Sequence, residues 1–347
     1  MLVNRFTELE SVMGVGPALA KRLREEHIPC AEVLAFLPPK RLLERVKAGE
    51  GTTLKVIQNT RALLGLDESL NGLERDEQLR QAQRLTSGID TLDQMLMGGF
   101  ETGAIVDFYG PARGGKSQLC HQLATTVQLP ETRGGLDSGV IWLDSEGSFR
   151  PLTIRANAMR MGLDPEHVLS QIHVQRIINR NHLVESVWRL PELVHTENVS
   201  LIIVDSLGKF FRTDSESLGE HKCNMMDLEE ILTILQGIAT MMKCVVVVTN
   251  QVYEKIETYG GNPNTAVGGH LMAHAATYRF YIRRFNKDRR KISLEDHAGF
   301  PESEMEMQIG WGGLFSSDRE RKAIGGVLSD YINSLGYPEK VEGESFC

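Results

Sequence analysis

Gly110-Pro111-Ala112-Arg113-Gly114-Gly115-Lys116-Ser117 satisfies in full the GxxxxGK[ST] spacing of a phosphate-binding loop. Residues 104–109 before it are a short apolar run that predicts a strand, and residues 118–127 after it predict a helix. In that setting glycines let backbone N–H groups turn inward around phosphate oxygens, and the helix dipole adds to the pull on the anion. Gly110, Arg113, Gly114, Gly115 and Gln118 then frame the phosphates, Lys116 reaches the β and γ phosphates, and Ser117 ligates Mg²⁺. The expected ligands are therefore ATP and Mg²⁺.

The flanking pattern continues the same fold. Residues 140–144, 201–204 and 245–248 are near-continuous apolar runs, each closed by polar residues: Asp144-Ser145-Glu146, Asp205-Ser206 and Thr249-Asn250-Gln251. Such runs are what a buried parallel sheet gives, with helical patterns at 184–195 and 225–242 between them. The polar ends gather where open α/β sheets bind ligands. Asp205, after an apolar strand, takes the Walker B position and holds the metal directly or through water. Glu146 either polarises a water for attack on the γ phosphate or serves as a helix-cap or salt-bridge carboxylate. Gln251 can sense the γ phosphate and pass the signal to the segment behind it.

Length and composition bound the rest. The 347 residues allow a large core and more than one domain, and 41% apolar with 24% charged residues is ordinary for a soluble globular protein. No run reaches the length of a membrane span, and the start MLVNRFTELE has no apolar signal core. Cys30, Cys120, Cys223, Cys244 and Cys347 are widely spaced without a metal or disulfide pattern, which fits a reducing compartment. The net charge of -8 is not that of a protein coated in positive charge, yet a local basic surface is all that nucleic acid needs.

Residues 1–65 predict a small helical domain with a helix–hairpin–helix centre, Val12-Met13-Gly14-Val15-Gly16-Pro17-Ala18, and a further amphipathic helix at 53–65. The segment carries 10 Lys/Arg against 7 Asp/Glu. Gly14, Gly16 and Lys21 can receive a DNA phosphate; equally, the unit can be a docking domain that never touches DNA. Residues 66–85 read as a polar linker with a possible helical stretch, 86–314 as the ATPase core and 315–347 as a C-terminal extension.

Two segments after the strand ends carry the candidate nucleic-acid contacts. Residues 252–267 are Gly/Asn-rich with Tyr253, Lys255 and Tyr259, which suits single-stranded DNA and equally suits a mobile surface loop. Arg212 precedes the earlier segment, 214–228, and Lys222 lies within it. Residues 278–284 and 290–296 predict two strands joined by a basic turn, and Arg283, Arg284, Lys287, Arg289, Arg290 and Lys291 form the densest positive run. That run is either a DNA-facing edge or a charged edge that resists aggregation.

With these motifs in hand the chain resembles the archaeal RadA and eukaryotic recombinase family of the RecA superfamily. The resemblance rests on GPARGGKSQLCHQLATTVQLP at 110–130, GGLDSGVIWLDSEGSFRP at 134–151, LIIVDSL at 201–207, FFR at 210–212, VTNQV at 248–252 and GGHLMAHAATYR at 268–279. It implies an α/β fold: a RecA-like phosphate-loop ATPase core with a mostly parallel central sheet, preceded by a small all-helical helix–hairpin–helix domain. It also implies helical filaments on single-stranded DNA with ATP between protomers, homologous pairing with double-stranded DNA, strand exchange, and slow DNA-stimulated hydrolysis. The location would be cytoplasmic beside the nucleoid, or nuclear. By position, Glu146 matches the catalytic glutamate, Asp205 the Walker B aspartate and Gln251 the γ-phosphate sensor. His270 matches the residue linking nucleotide to the second DNA loop, and Asp296 the cap that covers ATP from the adjacent protomer.

Several positions depart from the family pattern. FRPER is Phe149-Arg150-Pro151-Leu152-Thr153, so the arginine that packs on adenine is absent, with Arg150 and Arg155 as its possible replacements. The first DNA loop has Ser217-Leu218-Gly219 in place of Gly-Arg-Gly, and Ala266 and Ala298 replace prolines. The interdomain Phe-x-x-Ala anchor is Leu73-Glu74-Arg75-Asp76, where an aspartate cannot enter a small apolar pocket without a desolvation cost. Two functions therefore stay open: a recombinase that forms its own filament, or a paralogue that binds ATP and assists a related recombinase.

Overall fold

The computed structural model describes residues 5–46, 49–211, 218–254, 264–266 and 268–335. Among them, the N-terminal helical unit contains α1 (Pro17–Glu25), α2 (Ala31–Phe36), α3 (Pro39–Val46) and α4 (Glu50–Leu63). Pro17 starts α1 at the position where its missing N–H costs nothing. The unit lies against the core. Arg5 donates to Val199 O and Met242 O at 3.0 Å each, and Phe36 packs directly on Gly237. Arg45 stacks over Trp188 at 4.0 Å.

Residues 66–85 read as a linker with a possible helical stretch, and half of that stretch is helix α5 (Gly72–Gln81), started by a capping box between Asn71 and Glu74. None of its residues is buried. After β1 (Arg84–Leu85), α6 (Asp90–Met95) and β2 (Phe100–Glu101) the central sheet begins.

Its elements are β3 (Ile105–Gly110), α7 (Lys116–Thr126), β4 (Gly139–Asp144), α8 (Pro151–Met161), α9 (Pro165–Ser170), β5 (Ile172–Arg176), α10 (Arg180–Thr196) and β6 (Val199–Asp205). There follow α11 (Leu218–Met242), β7 (Val245–Glu254), β8 (Asn264–Ala266), α12 (Gly269–Ala275), β9 (Tyr278–Arg284), β10 (Arg289–Asp296), β11 (Ser303–Gly310), β12 (Gly313–Phe315) and α13 (Asp318–Ser334). The strand order is β12-β11-β10-β9-β3-β7-β6-β4-β5, with β8 paired to β7. The pairs from β9 through β5 are parallel; those from β9 through β12 are antiparallel. Every residue of β3, β4 and β6 is buried, as a sheet covered on both faces requires.

One apolar layer joins α10, α11 and the N-terminal unit to one face of the sheet; the other packs α7, α8 and α9 on the opposite face. Each fully buried Val, Leu or Ile contributes ~1.5–3 kcal/mol relative to exposure, so the two layers fix the strand ends firmly. The expected strands and helices of the core form close to where the apolar pattern put them. Three features differ. β7 runs on past Gln251 and pairs with Asn264–Ala266, so the ends of the Gly/Asn-rich segment form a short antiparallel ladder. Two further strands, β11 and β12, widen the sheet. The C-terminal extension contains α13, whose Leu328 and Ile332 pack with Ala156 of α8.

Candidate nucleotide site

The loop between β3 and α7 sits on the neighbouring strand. Gly110 has φ +144, and a Cβ on it would lie 2.1 Å from Ile282 O of β9; at Gly114 the same oxygen would be 2.7 Å away. Glycine is thus required by close backbone approach as well as by conformation. The loop opens on a pocket of about 390 Å³ lined by Arg113, Gly114, Gly115, Lys116, Ser117 and Gln118 from one side. Glu146, Asp205 and Gln251 line it from the other, with Ser206, Thr249, Arg290 and Ile309. The fold therefore brings Arg113 through Gln118, Glu146, Asp205 and Gln251 into one cavity, while Gly110 lies outside its lining.

The strand ends are tied to each other. Glu146 Oε1 accepts from Ser206 Oγ and from Gln251 Nε2, both at 2.8 Å. Asp205 accepts from Thr249 Oγ1 and from Ser148 Oγ. Asp144 Oδ1 accepts from the N–H groups of Gly147 and Ser148 at 2.6 and 3.0 Å, which folds the turn that carries Glu146. Lys116 Nζ donates to Gly110 O at 2.8 Å and to Pro111 O at 2.9 Å. Burial lowers its pKa, against the pull of the Asp205 and Glu146 carboxylates.

The donor set fits Mg²⁺. Ser117 offers a hydroxyl and Asp205 a carboxylate on the same cavity, and Mg²⁺ takes few protein oxygens, filling its octahedron with phosphates and water. The hydroxyls now bonded to Asp205 can rotate without backbone change.

His270 and Asp296 lie outside this cavity. His270 is exposed near the start of α12 and Asp296 is exposed at the end of β10, which suits residues expected to act at a boundary with another chain. Arg150 and Arg155, the possible replacements for the missing adenine-packing arginine, do not line the cavity. Arg150 donates to Gly147 O and Phe149 O at 2.7 and 2.8 Å, and Arg155 is paired with Glu166. Both guanidiniums are held by local acceptors, and the arginines that line the cavity are Arg113 and Arg290. The Arg290 stem passes the loop, 3.4 Å from the position of a Cβ on Gly115. Sequence reading missed Arg290 because it sits in the basic run 283–291, where charge suggested an outer edge. Ser206 and Thr249 stood beside quoted strand ends and were legible only as polar neighbours.

Of the candidate DNA residues, Arg212, Lys255 and Tyr259 lie outside the described residues, as does the side chain of Tyr253. Lys222 is exposed on α11. Gly14, with φ +95, and Gly16, which caps α1, form the tight turn expected before that helix. Lys21 is exposed on α1 and lies 3.9 Å from Glu25.

A doubly covered, mostly parallel sheet with a phosphate loop and carboxylates at its strand ends defines a nucleotide-binding ATPase fold of the RecA type. Residues 78–317 match the family model described as Rad51. The chain belongs to the Rad51 family of RecA-type recombinases. Among the described residues, no helix is long and apolar enough to cross a membrane.

Proposed function

We propose that this chain is an ATP-dependent recombinase that assembles on single-stranded DNA as a helical filament and promotes homologous pairing and strand exchange with double-stranded DNA. The observation that carries the reading is the bonding of Glu146 to both Ser206 and Gln251, beside Asp205 and opposite Lys116 and Ser117 across one cavity.

In this reading the loop N–H groups and Lys116 hold the β and γ phosphates, and Ser117 and Asp205 hold Mg²⁺. The metal supplies charge neutralisation between the phosphates when bound. Glu146 orients and polarises the attacking water. Gln251 is bonded to that carboxylate and continues in β7 toward the 252–267 segment, so a change at the phosphate passes into a candidate DNA-contacting stretch over a short covalent path. His270 and Asp296 act across a protomer boundary. Arg212, Lys222, Tyr253, Lys255 and Tyr259 meet single-stranded DNA, and Gly14, Gly16 and Lys21 meet phosphate at the start of α1.

A second reading, a paralogue that assists a related recombinase, is favoured by α5. There Asp76 occupies the place of the small anchor residue and pairs with Arg80 at 2.7 Å on an exposed helix. Fluorescence anisotropy of labelled single-stranded DNA with and without ATP, followed by a strand-exchange assay, separates the readings. ATP-dependent binding with exchange supports the recombinase; binding without exchange supports the paralogue. Absence of DNA binding at every salt concentration rejects both.

A further inference from the structure

His121 is a buried imidazole that the nucleotide chemistry above does not use. It lies in α7, one turn beyond Ser117, with its ring centroid 4.7 Å from that of Trp142 and 5.8 Å from that of Phe149. Its Nδ1 is 2.5 Å from Ser117 O, and its Nε2 accepts the backbone N–H of Arg150 at 2.8 Å. A carbonyl oxygen only accepts and a backbone N–H only donates, so these partners fix the tautomer. Nδ1 carries the proton and Nε2 carries the lone pair. Both ring nitrogens are satisfied only in the neutral ring.

The two partners belong to different parts of the site. Ser117 is the last residue of the phosphate loop. Arg150 N–H is the last backbone donor of the 144–150 turn that carries Glu146, directly before Pro151 opens α8. The turn is pinned at its start by the Asp144 carboxylate and in its middle by Ser148 Oγ on Asp205. His121 pins its far end, and it does so to the loop helix instead of to a strand.

We propose that His121 is a positioning residue: it ties the Glu146 turn to the first turn of the phosphate-loop helix and so keeps the water-activating carboxylate in register with Lys116 and Ser117. The inference rests on the ATPase reading given above. A displacement of about 1 Å in a reacting group is enough to slow a reaction strongly without loosening substrate binding. His121 does not line the cavity, so its removal lowers turnover and leaves the ATP cradle intact.

Two conservative variants divide the link. In His121→Gln the side-chain oxygen reaches the place of Nε2 and can accept from Arg150 N–H. In His121→Asn the shorter amide reaches the place of Nδ1 and can only bond the Ser117 carbonyl. Turnover of Mg-ATP, ATP affinity by calorimetry, and hydrogen exchange of the Arg150 amide are measured on the full chain. His121→Asn is expected to lower kcat about tenfold or more with affinity within about twofold, and to expose the Arg150 amide; His121→Gln is expected to restore both to near wild type. Equal kcat in the two variants, or affinity falling in step with kcat, overturns the proposal. Should the wild-type protein fail to turn over ATP, the ATPase reading is what fails. Amide exchange then decides the link alone, and equal protection of Arg150 in the Gln and Asn variants rejects it.

Discussion

Gln251 Nε2 donates to Glu146 Oε1 at 2.8 Å, joining β7 to the turn after β4, two strands that are not neighbours in the sheet. Between them lies β6, whose following residue, Ser206, donates to the same oxygen. Donors from two adjacent strands therefore converge on one oxygen of a carboxylate carried by the turn after the third.

Glu146→Gln removes the charge and keeps the size. It is expected to retain Mg-ATP binding and to lose turnover by about 100-fold or more, the scale of a positioned general base. Calorimetry and phosphate release measure the two separately. Turnover that persists unchanged rejects the base assignment. Gln251→Ala is expected to keep nucleotide affinity but to weaken the ATP dependence of DNA binding, because the link from carboxylate to β7 is cut.

The loop glycines make a stability prediction with an internal contrast. Gly110→Ala places a Cβ 2.1 Å from Ile282 O at a φ of +144, so the loop has to leave β9. A cost of about 2–4 kcal/mol and loss of nucleotide binding are expected by chemical denaturation and calorimetry. Gly16→Ala meets nothing within 4 Å and sits at φ -86, so its stability should stay within about 1 kcal/mol of wild type. Similar costs for the two would refute the close-approach argument.

The contrast also shows what was legible in the sequence. The phosphate loop, Glu146, Asp205 and Gln251 were readable because each ends a near-continuous apolar run, and a buried parallel sheet brings such ends together. Arg290 was not, because its burial depends on β9 and β10 folding under the loop, a contact between residues 175 positions apart from Gly115. His121 stood inside a helix pattern, where a buried histidine and an apolar residue give the same periodicity. The strand β8 escaped because three residues without an apolar alternation pair only through the long register with β7. α13 escaped because its apolar residues bury against distant parts of the chain, α8 and the β11–β12 turn, and its two adjacent glycines, Gly325 and Gly326, weaken the local signal.

Two buried groups beside the site titrate in opposite senses. Asp107 is fully buried, and desolvation pushes its carboxyl up from 3.8 to about 7 despite the favourable charges of Arg279 and Lys116. The folded state then binds more protons than the unfolded state between these values, so this group costs stability as pH rises from about 4 to 7. Burial pushes His121 down from 6.5 to about 4, so there the unfolded state binds more protons and stability rises with pH across about 4 to 6.5. The two trends partly cancel in the wild type. Asp107→Asn removes only the first. The stability of that variant relative to wild type should therefore climb with pH, by a total on the order of 3–4 kcal/mol between pH 4 and 8. Urea titrations at four pH values test this, and a flat or falling difference would show that Asp107 is not held protonated by burial.

The basic run at 283–291 makes the last prediction, because several of its charges are already engaged. Arg283 and Lys291 reach Glu304 at 3.6 and 2.6 Å, Arg289 reaches Glu306 at 3.4 Å, and Arg290 lines the nucleotide cavity. The hairpin thus faces the acidic side chains of β11, which favours the reading of a charged edge over that of a DNA surface. Among the described residues Lys222, exposed on α11, takes part in no ion pair. For single strands each phosphate contact adds about 0.7 to the slope of log K against log salt. Lys222→Ala is expected to reduce that slope by about 0.7, one contact's worth. Arg283→Ala with Arg289→Ala is expected to leave it unchanged to within about half a contact. Anisotropy titrations at three salt concentrations in the presence of ATP measure all three proteins. A slope that falls by about 1.4 in the double variant would place two phosphates on the hairpin and return it to the DNA-binding surface.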